Sequence, residues 1–292
     1  MLFEEVIDYS SQNYLSLGNS CGNVNCNHPS GSCSGNCANC LRQVHFGPNP
    51  NERIDYDCEK LIYRYVIDFT ERYKRNMQFF LSHIAMNAYP RFNILSIGCG
   101  AAPDLMAFEE SFPRHSLFYN GFDRNPKWRN IHKFIEEYAE DNDISAYFNR
   151  SDIFNIFLDD SIDWHNYNVI VVQYLISHLY NTRQNHRIRE LYDGFIQIVS
   201  QGLPHSPFLI VINDVDSYIK GRNLFHIFLN MLEDAGFIGT ALAYSSYSNG
   251  DLGKIRWGES YRRPGQIDYN YCPTPCEMEG AALIIEITGR NI

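Results

Sequence analysis

The chain has 292 residues, of which 45% are hydrophobic and 20% charged, and its formal net charge is −10. This composition is typical of a globular protein and excludes a disordered or fibrous one, and the length suits one large α/β domain with a small appendage. The negative charge disfavours broad, sequence-independent attraction to nucleic acid, but it is compatible with a local basic surface.

The first residues, Met-Leu-Phe-Glu-Glu-Val-Ile-Asp, lack the basic start and apolar core of a signal peptide. No apolar run approaches the ~18 residues that a membrane span needs. We therefore predict a cytoplasmic protein without a membrane partner, in which cysteines are metal ligands more often than disulfides. Residues 2–15 predict a short amphipathic helix.

Residues 18–40 consist mainly of Gly, Asn, Ser and Cys and have almost no core-forming side chains. Cys37 and Cys40 have the spacing at which two thiolates grip one tetrahedral ion. The pattern predicts a metal-binding module over residues 1–58 that holds structural Zn²⁺. Its candidate ligands lie within loop reach of one another and are Cys33, Cys37, Cys40, His45 and Cys58. Cys21, Cys26 and His28 are alternatives or belong to a second site.

Two other interpretations of the cysteines stay open. The spacing Cys33-x-x-x-Cys37-x-x-Cys40 is also that of radical S-adenosylmethionine enzymes, whose thiolates hold an iron–sulfur cluster. Those enzymes need a barrel of strand–helix units after the motif, whereas a long helix follows here, so structural zinc is preferred. The second interpretation is a metal-free tail in which cysteines happen to cluster.

A long helix is predicted from about Asp57 to Met86, because apolar and aromatic side chains recur there at helical spacing. We interpret its aromatic residues as core packing against a sheet. The helix opens a second domain, residues 59–292.

The stretch Phe92 to Leu105 reads as strand, glycine turn and helix. Ile94 and Ile97 belong to a short apolar run, which Gly98 and Gly100 end before a helix-compatible segment starts at Pro103. This geometry lets the backbone approach a ligand closely and points a helix N-terminus at it.

A second strand, Leu117 to Phe122, ends at Asp123, 25 residues after Gly98. An acidic side chain there can accept hydrogen bonds from ribose hydroxyls. A dinucleotide-binding enzyme would share this pattern, but the turn Gly-Cys-Gly-Ala-Ala-Pro lacks the third glycine of that fingerprint.

The turn and the acidic strand end resemble motif I and the following strand of class I S-adenosylmethionine-dependent methyltransferases. The resemblance covers roughly residues 93–288. It implies an α/β, Rossmann-like methyltransferase fold: a mostly parallel sheet with helices on both faces and an antiparallel last strand. It also implies S-adenosylmethionine as cofactor. The cofactor-binding candidates that it suggests are Gly98, Cys99, Gly100, Asp104, Asp123, Arg124, Asp152 and Gln173.

A continuous apolar strand, Tyr167 to Gln173, is followed by polar residues that include His178. Because ligands in open α/β sheets lie beyond the carboxyl ends of strands, Gln173 and His178 are the candidate catalytic residues. A packing role is the alternative for His178, and a turn role is the alternative for Asp152. Further strands are predicted at Phe208 to Asn213, Thr240 to Tyr247 and Ala281 to Thr288, the last two as a closing antiparallel pair.

The 248–280 insertion is too long for a hairpin loop and combines tyrosines with basic residues, among them Arg262 and Arg263. This mixture suits stacking on a base, so we rank a nucleic acid or nucleotide-like acceptor above a metabolite or protein side chain. The function predicted is methyl transfer to an unidentified acceptor. The alternative is a non-catalytic scaffold or binding module that recruits a partner through its zinc segment. The sequence leaves the oligomeric state open.

Overall fold

The computed structural model describes residues 1–17, 37–38, 40–41, 56, 58–85, 88–158, 162–202, 207–215, 224–245, 255–256, 270–271 and 280–291. The helices in these ranges are α1 (Leu2–Ser16), α2 (Glu59–Leu81), α3 (Pro103–Ser111), α4 (Arg129–Asp141), α5 (Ile153–Ile156), α6 (Leu175–Asn181), α7 (Asn185–Gly202) and α8 (Phe225–Asp234). Short 3₁₀ turns cover Pro126–Trp128 and Trp164–Asn166.

The long strands are β1 (Arg91–Ile97), β2 (Ser116–Phe122), β3 (Ser145–Asn149), β4 (Val169–Gln173), β5 (Phe208–Asp214), β6 (Phe237–Ser245) and β9 (Ala281–Arg290). They form one sheet in the order β3-β2-β1-β4-β5-β9-β6. Two short strands, β7 (Ile255–Arg256) and β8 (Asn270–Tyr271), pair with β6. Among the long strands only β9 is reversed: it runs antiparallel to both β5 and β6. The predicted closing antiparallel pair is confirmed.

The central strands are buried on both faces, which explains their continuous apolar sequences. On one face Ile94, Val169 and Val211 share a core with α1, α2, α3 and α4. On the other face Ile170 and Ile212 share a core with α7 and α8. The sheet is therefore covered by helices on both sides, as predicted.

The two helices that precede the sheet are fixed to it by buried apolar and polar contacts. Leu2 of α1 lies in the core beneath α2, and its backbone N–H donates to Glu109 of α3 at 3.0 Å. Lys74 of α2 and Glu110 of α3 form an ion pair of 2.6 Å whose side chains are 9% and 13% exposed. Helix α1 thus packs on the sheet domain, while the domain boundary predicted at residue 58 stays a prediction. No helix in the described part of the chain is long and apolar enough to cross a membrane.

Candidate functional site

The glycine turn after β1 is clamped onto the end of β2. Gly98 and Gly100 have φ of +69° and +51°, a region that favours glycine. The backbone N–H groups of Gly98 and Cys99 donate to the Phe122 carbonyl at 2.8 and 3.2 Å. The atoms nearest to a Cβ on Gly98 would be those of the Leu175 side chain, at 3.6 to 3.7 Å, which is ordinary van der Waals contact. Backbone conformation, more than lack of space, therefore requires glycine here.

Asp123 closes the same clamp. Its Oδ2 accepts from the Gly100 N–H at 3.1 Å, and its Oδ1 accepts from the Asn125 N–H at 2.9 Å. Each carboxylate oxygen can accept more than one hydrogen bond, so hydroxyl donors could still bind this side chain. Its neighbour Arg124 is exposed. The strand end and the turn, which the sequence pairs only by spacing, are thus joined directly.

A pocket of about 370 Å³, partly open to solvent, lies between this turn and helix α2. It brings together several predicted residues, namely Gly98, Cys99, Gly100, Asp104 and Gln173. It adds residues that were not predicted as site residues: Tyr65, Thr70, Tyr73, Ser96, Ala101 and Pro103. The Gln173 side-chain amide, at the end of β4, donates to the Tyr73 carbonyl at 3.3 Å and so joins the sheet edge to α2.

Two buried side chains in the pocket wall each have one oxygen without a hydrogen-bond partner among the described residues. Asp104 is 1% exposed and accepts from the Tyr119 hydroxyl at 3.1 Å through Oδ1, whereas its Oδ2 has no hydrogen bond among the described residues. Thr70 is also 1% exposed, and its Oγ1 is likewise without a partner there. Such atoms are rare in native structures, and in a pocket wall they indicate a polar ligand.

Burial raises the pKa of Asp104 from its ordinary 3.8 to about 6, although hydrogen bonds from Ser96, Tyr119 and backbone N–H groups oppose the shift. At neutral pH the carboxyl group is therefore mainly ionised, and its ionisation in this buried position lowers the stability of the folded protein. A cationic ligand group would relieve that cost by pairing with the carboxylate.

His132 of α4 contacts the glycine turn and was not predicted as a site residue. Its Nε2 donates to the Gly100 carbonyl at 2.7 Å, and its ring stacks on Phe148 with centroids 4.2 Å apart. Burial lowers the pKa of His132 to about 4, against the effect of that hydrogen bond, so the ring is neutral at pH 7. A single histidine on an amphipathic helix gives no sequence signal for this role, because the contact depends on how α4 packs.

Asp152 and His178 lie outside the residues that line this pocket. Asp152 caps α5 by accepting from the Phe154 N–H at 3.2 Å, and its other oxygen pairs with Arg187 at 3.1 Å. His178 is half-buried on α6. In the structure Asp152 is thus the N-cap of α5, and its contact with a cofactor stays a prediction.

The aromatic residues of α2 do more than pack in the core. Tyr65 and Tyr73 line the pocket, and Phe69 lies beside both, with ring centroids at 5.2 and 5.9 Å. The interpretation of this helix as core packing alone missed its role as a wall of the site. Helical spacing does not distinguish a face that meets a sheet from one that meets a pocket.

Three of the five predicted metal ligands lie in one small cluster. Cys37 and Cys40 are buried beside Leu61 of α2, and Cys58 at the N-terminus of α2 packs against them. Within the ranges that the structure describes, no group of three or more Cys, His, Asp or Glu residues is arranged to hold a metal ion. Cys33 and His45, the remaining predicted ligands, lie outside those ranges.

The strand order β3-β2-β1-β4-β5-β9-β6 with β9 reversed is that of a Rossmann-like methyltransferase fold, and the predicted α/β fold is confirmed to that extent. The predicted zinc module is not confirmed.

Comparison with known proteins gives matches to solved structures at low sequence identity. No protein-family model matches the chain, and no curated protein matches it. Among solved structures, the plantazolicin methyltransferase BpumL in complex with SAH is 15% identical over 97% of this chain and 100% of its own, with a TM-score of 0.42. The mitomycin 7-O-methyltransferase MmcR is 12% identical over 99% of this chain and 67% of its own, with a TM-score of 0.41. Precorrin-6y C5,15-methyltransferase from Geobacter metallireducens GS-15 is 14% identical over 73% of this chain and 86% of its own, with a TM-score of 0.37.

Proposed function

We propose that this protein is an S-adenosylmethionine-dependent methyltransferase. The observation that carries the proposal is the pocket at the carboxyl edge of β1 and β4, walled by a glycine turn that is hydrogen-bonded to Asp123. Ligands of open α/β sheets lie at this edge, where the strand order reverses direction. Here β1 lies between β2 and β4, so the pocket is at that switch point.

The reversed strand argues against the dinucleotide-binding alternative. A dinucleotide fold has the strand order 3-2-1-4-5-6 and reads its cofactor with a three-glycine turn. In this protein β9 is inserted antiparallel between β5 and β6, and the turn has two glycines followed by Ala-Ala-Pro. Both differences count against the dinucleotide-binding pattern.

The residues present fit S-adenosylmethionine. Asp123 would accept from the ribose hydroxyls, and the open backbone at Gly98 and Gly100 would lie against the cofactor. The carboxylate of Asp104 and the hydroxyl of Thr70, both buried and each with an unpartnered oxygen among the described residues, would take the polar amino-acid end. Arg124, Asp152 and Cys99 remain candidate contacts by resemblance.

When bound, S-adenosylmethionine supplies an electrophilic methyl group: the acceptor's lone pair forms the new bond, the sulfur keeps the electrons of the broken bond, and a proton leaves the acceptor. The protein's own contribution is then orientation and exclusion of water. Gln173 and Tyr73 would position the acceptor because they line the pocket and are joined by a hydrogen bond. His178 is retained as the candidate base for acceptors that need deprotonation.

We further propose that the N-terminal segment binds structural Zn²⁺. Support comes from Cys37, Cys40 and Cys58, which share a single cluster at the start of α2. Thiolates are the ligands that structural zinc prefers, and the ion would lend stability to a segment poor in core-forming residues. Elemental analysis of the purified protein should find about one or two zinc ions per chain. Stoichiometric iron and sulfide would instead indicate the radical-enzyme alternative, and no metal would refute both.

Our proposals for the acceptor, the compartment and the partners rest on the sequence alone. We retain a nucleic acid or nucleotide-like acceptor, because of the basic and aromatic insertion 248–280, and a cytoplasmic location. Apart from β7, β8 and Gly280, the insertion lies outside the described residues.

Calorimetric titration with S-adenosylmethionine, S-adenosylhomocysteine and NAD tests the proposal. We expect binding of the first two and none of NAD. Transfer of labelled methyl groups to cell-extract fractions then separates an enzyme from a scaffold, because a scaffold that binds the cofactor would label nothing. A protein that binds neither sulfur ligand would refute the proposed function.

A further inference from the structure

Asn125 joins the turn that contains Asp123 to a part of the chain that is distant in sequence. Its backbone N–H donates to Asp123 Oδ1 at 2.9 Å, and its side-chain Oδ1 accepts from the Lys127 N–H at 3.0 Å. The side-chain Nδ2 donates to the backbone carbonyl of Tyr56 at 2.9 Å, across 69 positions of sequence. The turn that carries the candidate ribose acceptor is thus tied to the segment just before α2.

Tyr56 lies against the cysteine cluster, by which we mean Cys37, Cys40 and Cys58. Cys37 and Cys40 are 2% and 6% exposed, and the Tyr56 side chain packs against the small core that contains them. Cys58 follows Tyr56 by two residues and is the N-cap of α2. A movement of Tyr56 would therefore disturb both the cluster and the start of α2.

Tyr65 of α2 gives a second connection between the cluster and the pocket. It packs against the cluster, and it also lines the pocket. Its ring makes edge-to-face contacts with Tyr56 and Trp128, at centroid distances of 5.2 and 5.6 Å. Trp128 in turn is the side chain nearest to a Cβ built on Gly100, at 3.5 Å. A continuous line of aromatic contacts therefore runs from the cluster to the glycine turn.

Contacts that two sites share couple the equilibria at those sites. A ligand that binds only when Asp123 and Tyr65 are in place stabilises the contacts that hold them, including the hydrogen bond from Asn125 to Tyr56. Local opening of the cysteine cluster then becomes rarer. The reverse also holds, because thermodynamic linkage is reciprocal: a chain whose cluster has opened binds that ligand less tightly.

We infer that Asn125 is a positioning residue that couples the cysteine cluster to the cofactor pocket: binding of S-adenosylmethionine closes the cluster, and an open cluster weakens that binding. The inference rests on the proposed function and adds to it a dependence on the N-terminal segment. It holds for free thiols and for a Zn²⁺ site alike, because the hydrogen bond that carries it joins Asn125 to a backbone carbonyl and involves no sulfur atom.

Asn125→Ser in the full-length chain tests this role. Serine is neutral and is itself a favoured helix cap, so its hydroxyl can still accept from the Lys127 N–H. It is shorter and has no amide group, so the donor to the Tyr56 carbonyl is lost. Asn142→Ser is the matched control, because the exposed Asn142 at the end of α4 makes the same kind of bond, from Nδ2 to the Tyr138 carbonyl at 2.8 Å.

Two quantities are measured for the wild type and both variants. Calorimetry gives the affinity for S-adenosylhomocysteine, which has no methyl group to transfer. Mass spectrometry gives the rate at which N-ethylmaleimide alkylates each thiol of the cysteine cluster, with and without a saturating concentration of S-adenosylhomocysteine. General stabilisation by the ligand would protect the thiols equally in all three proteins, so the difference in protection between them isolates the Asn125 bond.

In the wild type and in Asn142→Ser, we expect S-adenosylhomocysteine to slow alkylation of the cluster by at least about fivefold, the lower end of typical coupling between sites. In Asn125→Ser, the affinity should fall by at least about fivefold and the protection should drop below about twofold.

Binding of S-adenosylhomocysteine to the wild type without protection of the cluster would overturn the inference, and this comparison needs no variant. Unchanged affinity and protection in Asn125→Ser would also overturn it, even with a lower melting temperature, because the bond would then be only structural. Equal losses of protection in the two variants would overturn it as well. A wild-type protein that binds neither S-adenosylmethionine nor S-adenosylhomocysteine would instead refute the proposed function.

Discussion

Asp104 gives the sharpest test of the pocket. Removing its charge should stabilise the ligand-free protein but weaken the binding of the ligand. Burial raises its folded-state pKa from 3.8 to about 6. At ~1.4 kcal/mol per pKa unit, ionising it in the folded protein costs about 3 kcal/mol, an upper bound if the surroundings relax. That cost is absent below pH 3.8, where the carboxyl group is neutral in both folded and unfolded chains, and it is complete above about pH 6.

Asp104→Asn removes the charge and keeps the shape, and the Tyr119 hydroxyl can still donate to the amide oxygen. The ligand-free variant should therefore be more stable than the wild type at pH 7.5, by about 1–3 kcal/mol in urea unfolding. The difference should shrink as the pH falls from 6 towards 3.8, because the wild-type carboxyl group then takes up its proton. Asp141→Asn, an exposed position on α4, serves as control and should change neither property.

Asp104→Asn should weaken S-adenosylmethionine binding, although it stabilises the ligand-free protein. Losing a charge-assisted hydrogen bond costs ~1.5–3 kcal/mol, so Asp104→Asn should weaken binding by about 10- to 150-fold at pH 7.5. Wild-type affinity should fall below about pH 6, whereas the variant's affinity should be nearly independent of pH in that window. Calorimetry at several pH values measures both. A variant that is less stable at pH 7.5 and binds with unchanged affinity would refute the reasoning, because Asp104 would then be only a structural partner of Tyr119.

Three further predictions concern the clamp and the helices around it. Asp123→Ala should weaken S-adenosylmethionine binding by about 1–3 kcal/mol, since it removes the acceptor of the Gly100 N–H as well as that of the ribose; unchanged calorimetric affinity would remove the assignment. Gly98→Ala should lower the free energy of unfolding by about 1–2 kcal/mol through its φ of +69°, whereas Gly289→Ala, with no atom within 4 Å of its Cβ, should cost less in the same urea titration. Lys74→Met should lower the free energy of unfolding by about 3 kcal/mol, because it leaves Glu110 buried without its cation. Arg75→Met, whose ion pair is more than half exposed, should lower it by under ~1 kcal/mol. Equal losses in the two variants would contradict the burial argument.

The fold could be read from the sequence because its signals are local. The apolar runs of β1, β4 and β5 and the glycine break after Ile97 follow from which residues can be buried and which can adopt positive φ. The reversed last strand was expected through the resemblance. Of the candidate site, the sequence singles out the glycine turn, Asp123 and Gln173 because strand ends mark the ligand edge of such a sheet, and it singles out Asp104 through the resemblance.

The sequence by itself therefore determined the class of sheet, the glycine turn and the acidic strand end. Only the tertiary structure decided that Tyr65, Thr70 and Tyr73 of α2 wall the pocket and that His132 donates a hydrogen bond to the turn. The physical reason is that these roles depend on which neighbours a side chain meets after packing. Helical periodicity and residue type give a buried face, but they do not say whether that face meets a strand or a ligand.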